Sequence, residues 1–110
     1  MRLDVESAII PMEKLRDYLL SRTHPIGRYK ATFFLNLGYS QDEWKQLELD
    51  LRRLLTGNTS EPADVSPYGL KFIVRGSVLT PSGRLARVIT VWTILSGETA
   101  PRFVTAYPEE

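Results

Sequence analysis

The run KFIVRGSVLTPSGRLARVITVWTIL (residues 71–95) decides the fold. Its β-branched and aromatic residues are broken once, at Thr80-Pro81-Ser82-Gly83, whose Pro and Gly suit a tight turn and weaken a strand interior. Residues 71–79 and 84–95 therefore read as two antiparallel strands. A second break, Ser96-Gly97-Glu98-Thr99, turns the chain into a last strand over residues 102–107, which completes an antiparallel meander. In the middle strand Ala86, Val88, Thr90, Trp92 and Ile94 share one face, and Leu85, Arg87, Ile89, Val91, Thr93 and Leu95 share the other. Both faces are partly apolar, so one is expected on the helices and the other under a loop, a partner or the chain ends. Alternation places Phe103, Thr105 and Tyr107 together on one face of the last strand.

Upstream of this run the period changes from two to 3.6. Pro11 fits the first turn of a helix, and Met12, Leu15, Tyr18 and Leu19 recur at helical spacing to about residue 20. A second helix is expected from about residue 26 or 27 to 37, with Ala31, Phe33, Phe34 and Leu37 as its apolar stripe and Gly38 as its stop. Ser40-Gln41-Asp42-Glu43 has the form of a capping box. It opens a third helix whose buried face is Trp44, Leu47, Leu51, Leu54 and Leu55, and Gly57 closes it. Ala8-Ile9-Ile10 could add an edge strand, and the polar, Pro-containing segment 58–67 reads as a loop. Helices first and strands afterwards define an α+β fold. It has two to three N-terminal helices packed on a C-terminal antiparallel β-meander of three to four strands. The expected organisation is one domain over residues 1–110, with a helical half at about 11–57 and a strand half at about 68–108.

Composition narrows the chemistry. Apolar residues at 43% and charged residues at 25% are those of an ordinary globular domain. No apolar run approaches 18 residues, and the N-terminus MRLDVE lacks the apolar centre of a signal peptide, so no membrane is expected and the expected location is cytoplasmic. With no cysteine and one histidine, the chain can build neither a thiolate nucleophile nor a cysteine-ligated or His-pair metal site. No cofactor and no metal are expected, although carboxylates alone leave a magnesium site formally open. The net charge of +1 is unevenly spread. Lys71, Arg75, Arg84, Arg87 and Arg102 face only Glu98 across the strand half, while Glu109 and Glu110 stand at its end. These arginines either form a phosphate-attracting surface or fringe a solvated sheet.

The site candidate is Thr23-His24-Pro25-Ile26-Gly27-Arg28-Tyr29-Lys30, which holds the lone histidine, two further cations, and the Pro and Gly of a helix entrance. Unpaired N–H groups and the positive dipole end favour an anion there. If the last strand lies against this entrance, Thr105 and Tyr107 join the same site. Metal-free cleavage of RNA needs a base for the 2′-hydroxyl, a cation for the phosphate and a donor for the leaving oxygen. His24 is the candidate base, Lys30 the phosphate clamp, Tyr107 the acid or orienting group, and Thr105 a hydrogen-bonding hydroxyl. Arg28, Arg84, Arg87 and Tyr68 are the candidate substrate-binding residues. Taken singly, these residues also fit plainer roles as a turn histidine, solvated helix cations and ordinary strand side chains.

The pattern KLRDYLL (residues 14–20), HPIGRYKATFF (residues 24–34), YGLKFIVRGSVLTPSGRLARVITVW (residues 68–92) and PRFVTAYP (residues 101–108) resembles an uncharacterised bacterial and cyanobacterial domain family of unknown function. More loosely, early helices with a His and a basic residue, followed by a late Thr-x-Tyr strand, are similar to the barnase, EndoU, colicin and RelE-like group of small ribonuclease toxins. That resemblance implies a site of His24, Lys30, Thr105 and Tyr107. It also implies RNA and a cognate inhibitor protein as partners. A homodimer through the sheet is a further expectation. The chain departs from the group in being nearly neutral. Two functions stand side by side: a metal-independent ribonuclease of toxin–antitoxin type, and a non-catalytic RNA- or protein-binding module, antitoxin- or immunity-like, on the same fold.

Overall fold

The computed structural model describes residues 5–109, so Glu110 and the start of the N-terminal MRLDVE segment lie outside it. A 3₁₀ turn (Val5–Ser7) leads to α1 (Met12–Lys14), which widens into a π-helical stretch over Leu15–Leu19. Helices α2 (Arg28–Asn36) and α3 (Trp44–Gly57) follow, and then strands β1 (Ser60–Ser66), β2 (Gly69–Leu79), β3 (Leu85–Leu95) and β4 (Arg102–Pro108). The strands form one four-stranded sheet in the order β1-β2-β3-β4, antiparallel throughout. The α+β expectation holds.

Alternation on β2 and β3 sorts the sheet. Phe72, Val74, Val78, Val88 and Trp92 are buried toward the helices, where they meet Leu15, Leu19, Phe34, Leu47, Leu51 and Leu55. Burial at that scale drives the collapse, at about 1.5–3 kcal/mol for each large side chain. Trp92 is fully buried, and its indole N–H donates to Thr90 Oγ1 at 2.8 Å, which in turn donates to the Val74 carbonyl at 2.8 Å. The fully buried indole is thus satisfied by protein atoms. Just ahead of α3, Ser40 Oγ accepts the Glu43 N–H at 3.3 Å, and Tyr39 donates to Asp50 Oδ2 on the helix at 2.7 Å. Burial first, and the Asp50 carboxylate second, push the Tyr39 phenol pKa well above its ordinary value.

Three local expectations are corrected. Segment 58–67 is largely strand: β1 pairs with β2 from Ser60↔Val74 to Ser66↔Gly69, with an irregularity between Pro62 and Asp64. It is a solvent-exposed edge strand, where a proline and acids are tolerated and no hydrophobic alternation is required. Ala8-Ile9-Ile10 contributes only a parallel bridge, Ile9↔Arg102. On β4, Trp92 faces Phe103 and Val91 faces Thr105, so Val104 is the extra residue of a bulge. The bulge sends Phe103 to the core face and turns Thr105 and Tyr107, opposite Val91 and Ile89, to the other.

That outer face is covered in part by the end of the chain. Glu109 reaches back to Arg87 at 2.7 Å and Arg75 at 3.1 Å, and Arg75 also meets Glu61 at 2.8 Å. The pair of arginines holds the Glu109 carboxyl below its ordinary pKa, Arg87 contributing most.

Candidate functional site

The turn before α2 is tied by side chains to backbone. Ser21 Oγ accepts the N–H groups of Thr23 and His24, at 3.3 and 3.2 Å. His24 Nδ1 then accepts those of Ile26 and Gly27, at 3.0 and 2.9 Å. Histidine acts here as a helix-entrance cap, satisfying N–H groups that the first turn cannot. A neutral imidazole whose Nδ1 accepts carries its hydrogen on Nε2. His24 therefore presents a donor to the outside, whereas the base expected from its sequence position would need an open lone pair. Gly27 fixes where this turn sits: a Cβ there would lie 2.1 Å from the Tyr18 carbonyl oxygen.

Lys30, in the first turn of α2, is the centre of the arrangement. Its Nζ donates to Thr105 Oγ1 at 2.8 Å and to the Tyr18 hydroxyl at 3.0 Å, so helix entrance, π-helical stretch and β4 meet at one ammonium. The same Nζ lies 6.0 Å from the centre of the Tyr107 ring and 5.3 Å from that of Tyr18. The His24 ring stacks on Tyr18 with centroids 5.1 Å apart. The Tyr107 hydroxyl has no hydrogen-bond partner among the described residues. All of these side chains are half-buried, within reach of solvent and of a ligand. Beside them an open cleft of about 390 Å³ is lined by Pro11, Glu13, Lys14, Asp17, Tyr18 and His24.

The four residues singled out for chemistry, His24, Lys30, Thr105 and Tyr107, thus come to one place. The four singled out for substrate binding do not all join them. Arg28 opens α2 and is exposed, but at i and i+2 it points away from Lys30. Arg84 donates to the Asn36 carbonyl at 3.0 Å, at the far end of α2. Tyr68, 81% exposed, occupies the turn between β1 and β2. Arg87 shares the outer face with Tyr107, yet its charge is matched by Glu109.

Sequence reasoning missed Tyr18. Its spacing puts it in the apolar stripe of the first helix, and only the contact with Lys30, twelve residues on, reveals its hydroxyl as part of the site. Burial raises its pKa, but the hydrogen bonds from Lys30 and Thr105 and the charges of Lys30 and Lys14 outweigh it and leave the phenol more acidic than usual. Among the described residues no group of three histidine or carboxylate side chains is placed to hold a metal ion, and no helix is long and apolar enough to cross a membrane.

The fold has a solved counterpart. The chain is similar to one chain of a structure titled "Contact-dependent growth inhibition toxin - immunity protein complex from Klebsiella pneumoniae 342", with 19% identity and a TM-score of 0.72 over 93% of this chain and 100% of that one. At that identity the likeness is one of fold. No curated protein matches the chain. The model for "Domain of unknown function (DUF6883)" matches residues 2–110, and the chain belongs to that family.

Proposed function

We propose that this chain is a metal-independent, ribonuclease-like domain of toxin–antitoxin type, cleaving RNA by transesterification to a 2′,3′-cyclic phosphate. One observation carries the reading: the Lys30 ammonium is held between the hydroxyls of Thr105 and Tyr18 at 2.8 and 3.0 Å, with the Tyr107 ring beside it. A preorganised cation flanked by hydroxyls is what a pentacovalent phosphorus, with its additional negative charge, is stabilised by. In this reading the Lys30 N–H not engaged by Thr105 and Tyr18 holds a non-bridging oxygen, Thr105 orients that ammonium, and His24 Nε2–H donates to the same phosphate. Tyr107, whose phenol is open, orients the ribose hydroxyl, which loses its proton to water. The fold likeness to a chain from a toxin–immunity complex supports a toxin- or immunity-like module and, with it, a protein partner.

A second reading draws on a different observation. Glu109 and Glu61 neutralise Arg75 and Arg87, so the sheet's outer face carries less free positive charge than its sequence suggests. A surface of matched charges suits a protein better than a polyanion, which favours a non-catalytic, immunity-like module. Incubating the purified protein with cellular RNA in EDTA, beside Lys30→Ala and Tyr107→Phe, separates the two. Cleavage that both substitutions abolish supports the nuclease, and intact RNA throughout favours the binding module.

A further inference from the structure

We propose, building on the ribonuclease reading, that Tyr18 is a further catalytic residue: it donates the proton taken up by the departing 5′-oxygen, and Lys30 and Thr105 hold the phenolate that remains. Tyr107 is the acid or orienting group expected from sequence, but no described residue hydrogen-bonds its hydroxyl to hold the phenolate that proton loss would leave, and the other members of the site are poorer acids. Lys30 is committed as the cation, His24 is a neutral donor fixed by two backbone caps, and the Thr105 hydroxyl is a far weaker acid than a phenol. Tyr18 differs in that its oxygen already accepts from an ammonium at 3.0 Å. With that lone pair engaged by Lys30, its own O–H is left to point elsewhere, and the ring borders the open cleft beside His24. The charge that appears on the oxygen when the proton leaves is met by a cation already in place, so little reorganisation accompanies the transfer.

The local backbone is unusual as well. Tyr18 lies in the π-helical stretch Leu15–Leu19, a conformation that costs regular hydrogen bonding and recurs at functional sites. Gly27 lets the α2 entrance touch the Tyr18 carbonyl, which locks the π stretch against the turn that carries His24. The charged and titratable groups around the phenol are Lys14, Glu13 and Asp17 on its own segment and in the cleft, His24 from the turn, Lys30 from α2, and Tyr107 from β4 across the lysine.

The step balances. The ribose 2′-oxygen forms its bond to phosphorus and its proton goes to water. The bond from phosphorus to the 5′-oxygen breaks with its electron pair moving to that oxygen, which takes the Tyr18 proton. Solvent then reprotonates the phenolate.

A sulfur in place of the bridging 5′-oxygen departs without needing a proton, so it separates an acid from a merely structural tyrosine. The test uses two oligoribonucleotides that differ only in that atom, at the linkage the wild-type protein cuts, with wild type, Tyr18→Phe and Tyr107→Phe. On the oxygen substrate Tyr18→Phe is expected to lose about 100-fold or more in rate, the range of a general acid. On the sulfur substrate it is expected within about threefold of wild type, because the acid has nothing left to do there. Equal losses on both substrates, or sulfur rescue of Tyr107→Phe in place of Tyr18→Phe, would overturn the assignment. Absence of cleavage by wild type would remove the ribonuclease reading itself, a different failure from retention of wild-type activity with an unselective Tyr18 effect.

Discussion

Gly27→Ala tests whether the α2 entrance is seated on Tyr18 as described. The backbone at Gly27 is helical, φ −62° and ψ −28°, where alanine is normally welcome. Taken alone, that would stabilise the protein by about 0.4–1 kcal/mol, through the smaller entropy of the unfolded chain. The added Cβ, however, falls 2.1 Å from the Tyr18 oxygen and 2.7 Å from its carbonyl carbon. Both are backbone atoms and cannot swing aside, so the segments must part by about 1 Å, an overpacking that costs about 1–3 kcal/mol. The net expectation is a loss of about 1–2 kcal/mol, or several degrees in Tm for a domain of this size. Urea unfolding followed by tryptophan fluorescence measures it, with Gly57→Ala as the control. Gly57 has nothing within 4 Å of its added Cβ, so the same change there should be neutral or stabilising. A Gly27→Ala protein more stable than wild type would refute the close seating, and with it the way Tyr18, His24 and Lys30 are held together.

Other outcomes follow from particular contacts. Lys30→Met should reduce cleavage at least about 100-fold while changing stability by less than about 1 kcal/mol, because the Tyr18 and Thr105 hydroxyls it leaves can be met by water; parallel rate and urea measurements check this. Tyr39→Phe strips the buried Asp50 carboxylate of its 2.7 Å donor, leaving it Gln46 and Arg53, and should cost about 1–3 kcal/mol by urea titration without altering the chemistry. Glu109→Gln should lower the urea midpoint at neutral pH. The Glu109 pKa is depressed below 4.5 in the folded chain, so its stabilisation is complete above that value and fades as pH falls through the folded one. The gap between the two proteins should therefore close in acid.

The hairpin in residues 71–95 could be read directly because its two strands alternate regularly and their turn is spelled by Pro81 and Gly83. Strand β1 could not, since SEPADVS has no alternation and is held by backbone pairing and the ion pair of Glu61 with Arg75. The bulge at Val104 was equally hidden: alternation assumes an unbroken pleat, and one extra residue separates Phe103 from Thr105 and Tyr107. At the site, His24 and Lys30 were visible as the lone histidine and a lysine at a helix entrance, and Thr105 and Tyr107 as a polar pair on a late strand. Their convergence is a tertiary fact, fixed where α2 meets β4. Tyr18 was legible only as an amphipathic core position, because a phenol buries its ring and offers its hydroxyl at once. The arginines misled in the opposite direction, since charge counted along the strands omitted the fold-back of Glu109 and the pairing of Glu61 across from β1.

The most direct measurement uses a DNA oligonucleotide carrying a single ribonucleotide, incubated with the protein in EDTA, its fragments weighed by mass spectrometry. One cut is expected, 3′ of the ribonucleotide, leaving a 2′,3′-cyclic phosphate, with the all-DNA strand intact and Lys30→Met inactive. Cleavage of the all-DNA strand, a linear phosphate formed without a cyclic precursor, or no cleavage of either strand or of cellular RNA would contradict the ribonuclease reading.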